Sequence, residues 1–489
     1  MLPWFPCAVN GGDLGPLHRL AFPFNGKKRS PKRRGSELVY LTIKHVAKRV
    51  VPATMWTRLY GRWWDDILPF TVEHCPMMLP WFASAKRNDP ASRLHRLALC
   101  FDWQKKPSFC RTFCVWIASL FWPFRFFSET LQALRRYGPG TRRMHGLSCR
   151  MQFFEIVRHG MTSNVPASAY YLYRLFLPAN RHRANLWIHK EELLTLYDIL
   201  MSGLPSDRPL SDKQAFLEGG LEHGLPVVHA LAVFGPNRFQ KWYTGAAGDL
   251  PRCDLVLKPV DLLCGRGFQL WTFDEDTGNW RKDGKVLDKD AFLKYCFETA
   301  GQRRQVLQVR LRNHGLLAPL ASEGLCTIRT ISFCRPGGDP ELLMACLRMP
   351  TGASHVDNFQ AGGIAALIDL ETGSLGSAVA KDPTRGTFEH HPDTGAPITG
   401  TKVPLFPEAV ALSLRAHALY PWMPFVGWDV VITPSGPCLL EANPGWCVEL
   451  AQVVSGVPLG ETVCPEIYLE HLAAQEQASL ATSPLPSSA

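Results

Sequence analysis

The chain has 489 residues, of which 46% are AVILMFWYC and 20% DEKR, values that exclude a disordered or fibrous protein and allow roughly two to four domains around a sizeable core. Its net charge of +10 is unevenly placed: residues 1–150 hold 25 basic and 8 acidic side chains, the remainder 28 and 35. Fifteen cysteines without a C-x-x-C pair, the closest being Cys110 and Cys114, exclude a zinc knuckle and fit a reducing, cytosolic setting.

Residues 1–130 form a basic, Trp-rich region with no sustained period, and part of it is expected to be a loosely structured extension. Eight of the 15 Trp lie within residues 1–150, among them Trp4, Trp56, Trp63 and Trp64, and a basic run spans Lys27 to Arg34. Basic residues interleaved with aromatics suit an anionic membrane surface or nucleic acid, and equally a solvated basic face; of the partners, an anionic membrane surface is the one carried forward, as peripheral attachment of a cytoplasmic protein at the inner membrane face, and no nucleic-acid partner is expected. The run itself also reads as a solvated, flexible segment. Met1 to Gly11 has no basic stretch ahead of its apolar residues, so no cleaved secretion signal is expected. No charge-free apolar run reaches the roughly 18 residues of a spanning helix. The best candidate, Thr112 to Phe124, is 13 residues long, contains Pro123, and reads as an interfacial or a buried helix.

Residues 131–209 read as a helical lead-in, with helical patterns at Ser128–Tyr137, Ala167–Leu177 and Lys190–Met201. After the polar turn Ser202–Pro209, Ser211-Asp212-Lys213-Gln214 has capping-box spacing and Gly224 is the stop, giving a helix over 212–223. Strand patterns follow at 227–234, 254–258, 267–273, 306–311, 327–334, 364–370, 426–433 and 438–442. They are interrupted by helices at 290–299 and 407–419. Hairpins broken by helices predict α+β layers over 210–470 rather than a doubly wound parallel sheet. Residues 471–489, ending in the small, polar stretch Ala478–Ala489, are expected to be a disordered tail.

The strongest chemical signal is Gly427 to Pro444. Two apolar strands flank a Pro-Ser-Gly-Pro turn, and Asp429, Glu441 and Asn443 break the apolar pattern. Glu441 and Asn443 are two apart and share a strand face. Two carboxylates and an amide pointing the same way make a hard oxygen site suited to Mg²⁺. Pairing Thr433 with Cys438 would set Asp429 opposite Ala442 and turn it away, so a shared site calls for Ile432 opposite Cys438 and Asp429 opposite Glu441. A second signal is the strand Leu255-Val256-Leu257-Lys258 with the loop Gly265-Arg266-Gly267. There, glycine N–H groups can approach a phosphate and the lysine adds a point charge, although the loop lacks P-loop spacing.

Taken in this order, the pieces over roughly 130–470 resemble the ATP-grasp superfamily, most of all its sugar-transfer-associated members. The resemblance implies the ATP-grasp fold, with two α+β lobes clamping MgATP, preceded here by a mostly helical and irregular basic N-terminal region. It also implies that Lys213 and Lys258 are the nucleotide lysines and that Gly265, Arg266 and Gly267 form the phosphate-covering loop. Gln308 falls on the hinge strand meeting adenine, and Arg329 faces the transferring phosphate. Asn358 opens a segment, Asn358 to Gly363, similar to one in the glutamate ligases. Asp429, Glu441 and Asn443 match the residues that hold two Mg²⁺. Leu217 stands where D-alanine ligases carry a further lysine, and Gln360 where glutamate ligases carry a basic residue.

Moving a γ-phosphoryl group demands charge neutralisation and alignment, with Lys258, Arg329 and Asn358 as the catalytic candidates. The resemblance implies a carboxylate-amine ligase using small-molecule or glycan-linked substrates in polysaccharide or surface-glycan assembly. A kinase for a sugar-like hydroxyl and a membrane-surface protein with a regulatory nucleotide site are the alternatives. His390-His391 reads as a loop or a lid, His417 as a core histidine, and Asp369 as a turn residue.

Overall fold

The computed structural model describes residues 89–104, 108–262, 266–321, 323–352 and 357–482. The basic run at 27–34, the first five Trp, Gly265 and residues 483–489 lie outside them.

Two seven-stranded antiparallel sheets form the body. In chain order the strands of the first are β1 (Ala230–Phe234), β2 (Gln240–Trp242), β3 (Leu255–Pro259), β4 (Gln269–Asp274), β5 (Asn279–Lys282), β6 (Lys285–Leu287) and β7 (Gln305–Val309). They lie in the order β2-β1-β7-β3-β4-β5-β6. The second sheet holds β8 (Thr327–Cys334), β9 (Pro340–Met349), β10 (Ile364–Ile368), β11 (Leu375–Ala380), β12 (Thr387–Phe388), β13 (Phe425–Thr433) and β14 (Gly436–Asn443). Its order is β12-β11-β10-β9-β8-β13-β14. The α+β expectation holds. β9, β11 and the short strands β2, β5, β6 and β12 carried no pattern strong enough to be read in the sequence.

Among the described residues the helices longer than four residues are α1 (Pro90–Gln104), α2 (Ser108–His145), α3 (Cys149–Ser163), α4 (Ala167–Leu172), α5 (Lys190–Met201), α6 (Lys213–Glu222), α7 (Lys289–Thr299), α8 (Phe406–His417), α9 (Val448–Ser455) and α10 (Cys464–Thr482). Each sheet turns alternate residues to opposite sides. In the second, Trp428 and Val430 join the core containing Leu412 and Ala416 of α8. On its other side Ile331, Phe333 and Phe425 pack with Leu193 and Leu196 of α5, Leu450 of α9 and Ile467 of α10. In the first sheet Leu255, Leu257 and Trp271 pack with Phe292 and Cys296 of α7.

Several sequence expectations are corrected. The pattern at 128–137 is the middle of one helix that starts at Ser108, runs across the expected boundary at 130 and continues through Gly138-Pro139-Gly140 to His145. Gly140 is there because Thr384 packs against it: a Cβ would come within 2.6 Å of the Thr384 methyl. The helix at 167–177 stops at Leu172, and Arg174 takes a left-handed φ of 51°. Part of the region read as aperiodic is α1, whose Leu94 and Ala98 enter the core with α5. The tail expected from 471 is helical to Thr482, because Leu472 is buried, His471 Nε2 lies 2.7 Å from the Cys334 carbonyl and Gln475 donates to Leu200 O. Ser211 does not cap α6. It ends a preceding turn, and Asp212 is the cap, accepting from Gln214 N and Ala215 N at 3.0 and 3.1 Å.

Candidate functional site

Register alone brings the charged groups together. Arg329 of β8 pairs with Asp429 of β13, which pairs with Glu441 of β14. Directly opposed residues share a face, as do residues two apart, so Asn443 and Thr327 join them. Arg348 of β9, opposite Thr327, joins too. Asp429 and Glu441 are opposite each other, as a shared site requires, but not through the expected turn. Thr433 pairs with Gly436, Val431 with Cys438 and Ile432 with Pro437, and a bulge at Leu440 supplies the missing residue. Without it Asp429 would face Leu440.

Asp429 is the centre of the row and is 1% exposed. Its Oδ1 accepts from Arg329 Nε at 2.5 Å and its Oδ2 from Arg348 Nη2 at 2.9 Å. Despite burial, those two guanidinium groups hold its carboxyl below the usual range. Glu441 moves the other way, pushed up by burial and by the negative charge of Asp429. Lys213 Nζ is 3.8 Å from Glu441 Oε2 and donates to Leu262 O at 2.7 Å, so this lysine turns inward from the start of α6.

The first sheet faces this row with Val256, Lys258, Leu270 and Gln308, which share one face because Val256 pairs with both Leu270 and Gln308. Burial pushes the Lys258 ammonium down to about 8, partly offset by Glu441. Between the sheets is a cavity of about 1100 Å³. Lys213, Lys258, Arg266, Gln308, Arg329, Asn358, Asp429, Glu441 and Asn443 all line it. Gly267 does not; it makes a turn at φ +76°, packed so closely on Pro259 that a Cβ would lie 2.8 Å from its ring. Asn358 caps a short turn through Gln360 N at 3.0 Å.

Sequence reading missed Arg348, Thr327 and Asp357. Arg348 also bonds Thr327 Oγ1 at 2.7 Å and Asp357 Oδ1 at 3.2 Å, and Thr327 Oγ1 donates to Asp357. Burial pushes the Asp357 carboxyl up to about 6, with Arg348 opposing. The available signal was one arginine inside the apolar run Leu342–Met349. Gln360, which stands where the glutamate ligases carry a basic residue, is bonded by Lys381, whose Nζ also reaches Glu449 Oε2 at 2.8 Å. His391 bonds Pro350 O through Nε2 and is buried. His417 is a core histidine between Ser332 and Met423, pushed down to about 4 by burial. Asp369 closes a turn by accepting from Thr372.

No curated protein matches the chain. Among solved structures, the ATP complex of D-alanine–D-alanine ligase from Bacillus anthracis is 12% identical, with 57% of this chain and 70% of that one covered at a TM-score of 0.32. The Coxiella burnetii enzyme of the same name is 14% identical, with 59% and 67% covered at 0.34. Against an ADP complex of N5-carboxyaminoimidazole ribonucleotide synthetase, 12% identical at 0.29, 48% of this chain is covered and the match spans 45% of that protein's length. Over residues 207–463, which include both sheets and every candidate residue above, the sequence matches the family described as sugar-transfer associated ATP-grasp. The chain belongs to that family.

Proposed function

We propose that the protein is an ATP-dependent ligase that activates a carboxylate as an acyl phosphate for condensation with an amine, acting in the cytoplasm in polysaccharide or surface-glycan assembly. The carrying observation is the single-faced row of Arg329, Arg348, Asp429, Glu441 and Asn443 set across one cavity from Lys258. Lys213 and Lys258 bind the phosphates as point charges, while Gln308 lies on the strand that meets the base and Arg266 on the covering loop. Asp429 fixes Arg329 and Arg348 in place, so both guanidinium groups meet developing negative charge without reorganising. Asn358 stands on the acceptor side.

The donor set fits Mg²⁺, because buried Asp429 and half-buried Glu441 stand opposite each other and Glu441 is pushed up by burial and by the negative charge of Asp429, a repulsion that a hard cation relieves. Asp429, Glu441 and Asn443 would hold the metal, which when bound neutralises phosphate oxygens. In the reaction a carboxylate oxygen attacks the γ-phosphorus and ADP leaves. The amine then attacks the acyl carbon, phosphate departs, and the amine gives up a proton.

One observation favours a second reading, phosphorylation of a sugar-like hydroxyl. Asp357 lines the same cavity with its carboxyl pushed up to about 6, within range to accept a hydroxyl proton. Thermal unfolding with Mg²⁺ and a non-hydrolysable ATP analogue tests the nucleotide site. At about 100 times Kd the ligand adds about 2.7 kcal/mol, and Glu441→Gln is expected to weaken this. Hydroxylamine separates the two reactions: a ligase gives a hydroxamate from a carboxylate acceptor, whereas a kinase releases ADP with a hydroxyl acceptor and forms none. No nucleotide-dependent shift in the folded protein overturns both.

A further inference from the structure

The α2–α3 hairpin lies outside the matched region and outside the nucleotide cavity, and it is built unlike the rest of the surface. Phe124 and Phe127 of α2 are 73% and 52% exposed, and Met151 and Phe154 of α3 are 52% and 56% exposed. Spacings of three put each pair on one helix face. The two faces adjoin: Phe127 meets Phe153 edge-on at 6.0 Å, and Phe153 meets Phe154 at 5.7 Å. A contiguous exposed apolar patch of this kind marks an interaction surface. Arg150 lies over the Phe154 ring, and Arg158 follows Phe154 by one turn on the same exposed side.

Arg158 also leads into a second cavity, of about 350 Å³, lined by Thr162 and Ser163 of α3, Arg181, Asn185 and Ser92 of α1. One cation there is incompletely satisfied. Arg181 holds Glu155 Oε1 at 2.5 Å, yet its Nε is buried without a hydrogen-bond partner among the described residues. The local field is positive enough that burial, Arg158 and Arg181 together push His159 down to about 4. Hydroxyls, an amide and guanidinium donors around a small cavity suit a phosphate.

We propose that the α2–α3 face rests on an anionic phospholipid surface, with a headgroup phosphate seated in the cavity beside Arg158 and Arg181. Charge decides among occupants. Residues 124–163 hold seven Arg against two Glu, so a second copy of this face repels it. An anionic membrane complements both the arginines and the aromatic stripe. No helix among the described residues is long and apolar enough to cross a membrane. This inference is independent of the ligase reading.

The test is sedimentation of the full chain with vesicles of phosphatidylcholine, alone or mixed with phosphatidic acid, at low and high salt. Binding is expected only to the mixed vesicles and is expected to weaken with salt. Phe124→Ser with Phe154→Ser should abolish it. Arg158→Ala should weaken it roughly fivefold, the worth of one arginine near a charged surface. Both sets are exposed, and an unchanged thermal midpoint verifies the fold of each variant. Failure of the wild-type chain to sediment overturns the proposal, as does equal binding to neutral vesicles. A thermal shift with inorganic phosphate that depends on Arg158, without vesicle binding, would instead make the cavity a small-phosphate site and equally overturn it.

Discussion

The two sheets share strand number and antiparallel pairing but differ in how firmly they hold their charges. In the second, β8 is buried along its whole length and β13 along all but its last residue, with core on both faces. Six of the site's polar residues sit there, and three of them, Arg329, Arg348 and Asn443, donate to Asp429. The first sheet is covered on one side by α7, its strands β5 and β6 leave Arg281, Lys285 and Val286 exposed while Trp280 is buried, and its polar groups in the cavity include Lys258 and Gln308. A phosphoryl-transfer site needs both arrangements: a fixed electrostatic floor and a partner able to accept a ligand across it.

The largest expected effect strikes the floor. Asp429→Ala leaves Arg329 and Arg348 buried without their shared carboxylate and should cost about 3–5 kcal/mol in denaturant unfolding. Lys258→Met, which removes a desolvated charge, should leave apo stability at neutral pH undiminished or raised, yet lower nucleotide affinity by on the order of 10- to 100-fold, the worth of one charged hydrogen bond, in titration calorimetry. Equal destabilisation by the two substitutions would break the contrast between the sheets.

The pH dependence sharpens it. Burial pushes the Lys258 ammonium from its ordinary 10.5 down to about 8 in the folded protein, so the unfolded chain binds the extra proton between those values. This group therefore raises stability as pH climbs through that window, and Lys258→Met should flatten the slope. Asp357 has the opposite sign: at about 6 folded against 3.8 unfolded, the folded state binds the extra proton, and stability falls as pH rises through that range. Asp357→Asn should remove that fall. The smallest effect is local: amides of β8 and β13 should exchange at the global unfolding rate, those of β5 and β6 faster, as hydrogen exchange with mass spectrometry would read. Uniform protection would argue that the sheets are equally rigid.

The strands bearing Lys258, Gln308, Arg329, Asp429 and Glu441 were legible because each carries a polar residue inside an apolar, β-branched run, a signal that needs no partner to be seen. Asp429 facing Glu441 was legible as a requirement but not as a route, since the Leu440 bulge leaves no mark in an otherwise regular hairpin sequence. Helix ends were read poorly wherever tertiary contact overrode local preference, as at Gly140 against Thr384 and along α10 against Cys334 and Leu200.

Order along the chain and residue type by themselves determined the α+β class, the acid-amide set on one hairpin and the lysine at the end of its strand, because those depend on periodicity and spacing within single segments. Only the tertiary structure decided that Arg348 joins Arg329 on Asp429, that burial pushes the Asp357 carboxyl up, that Lys381 bonds Gln360, and that α2 and α3 bring their exposed aromatics beside a basic cavity. Each of these joins side chains from different segments. Burial and charge proximity, which set their chemistry, are properties of the packed chain that no single segment carries.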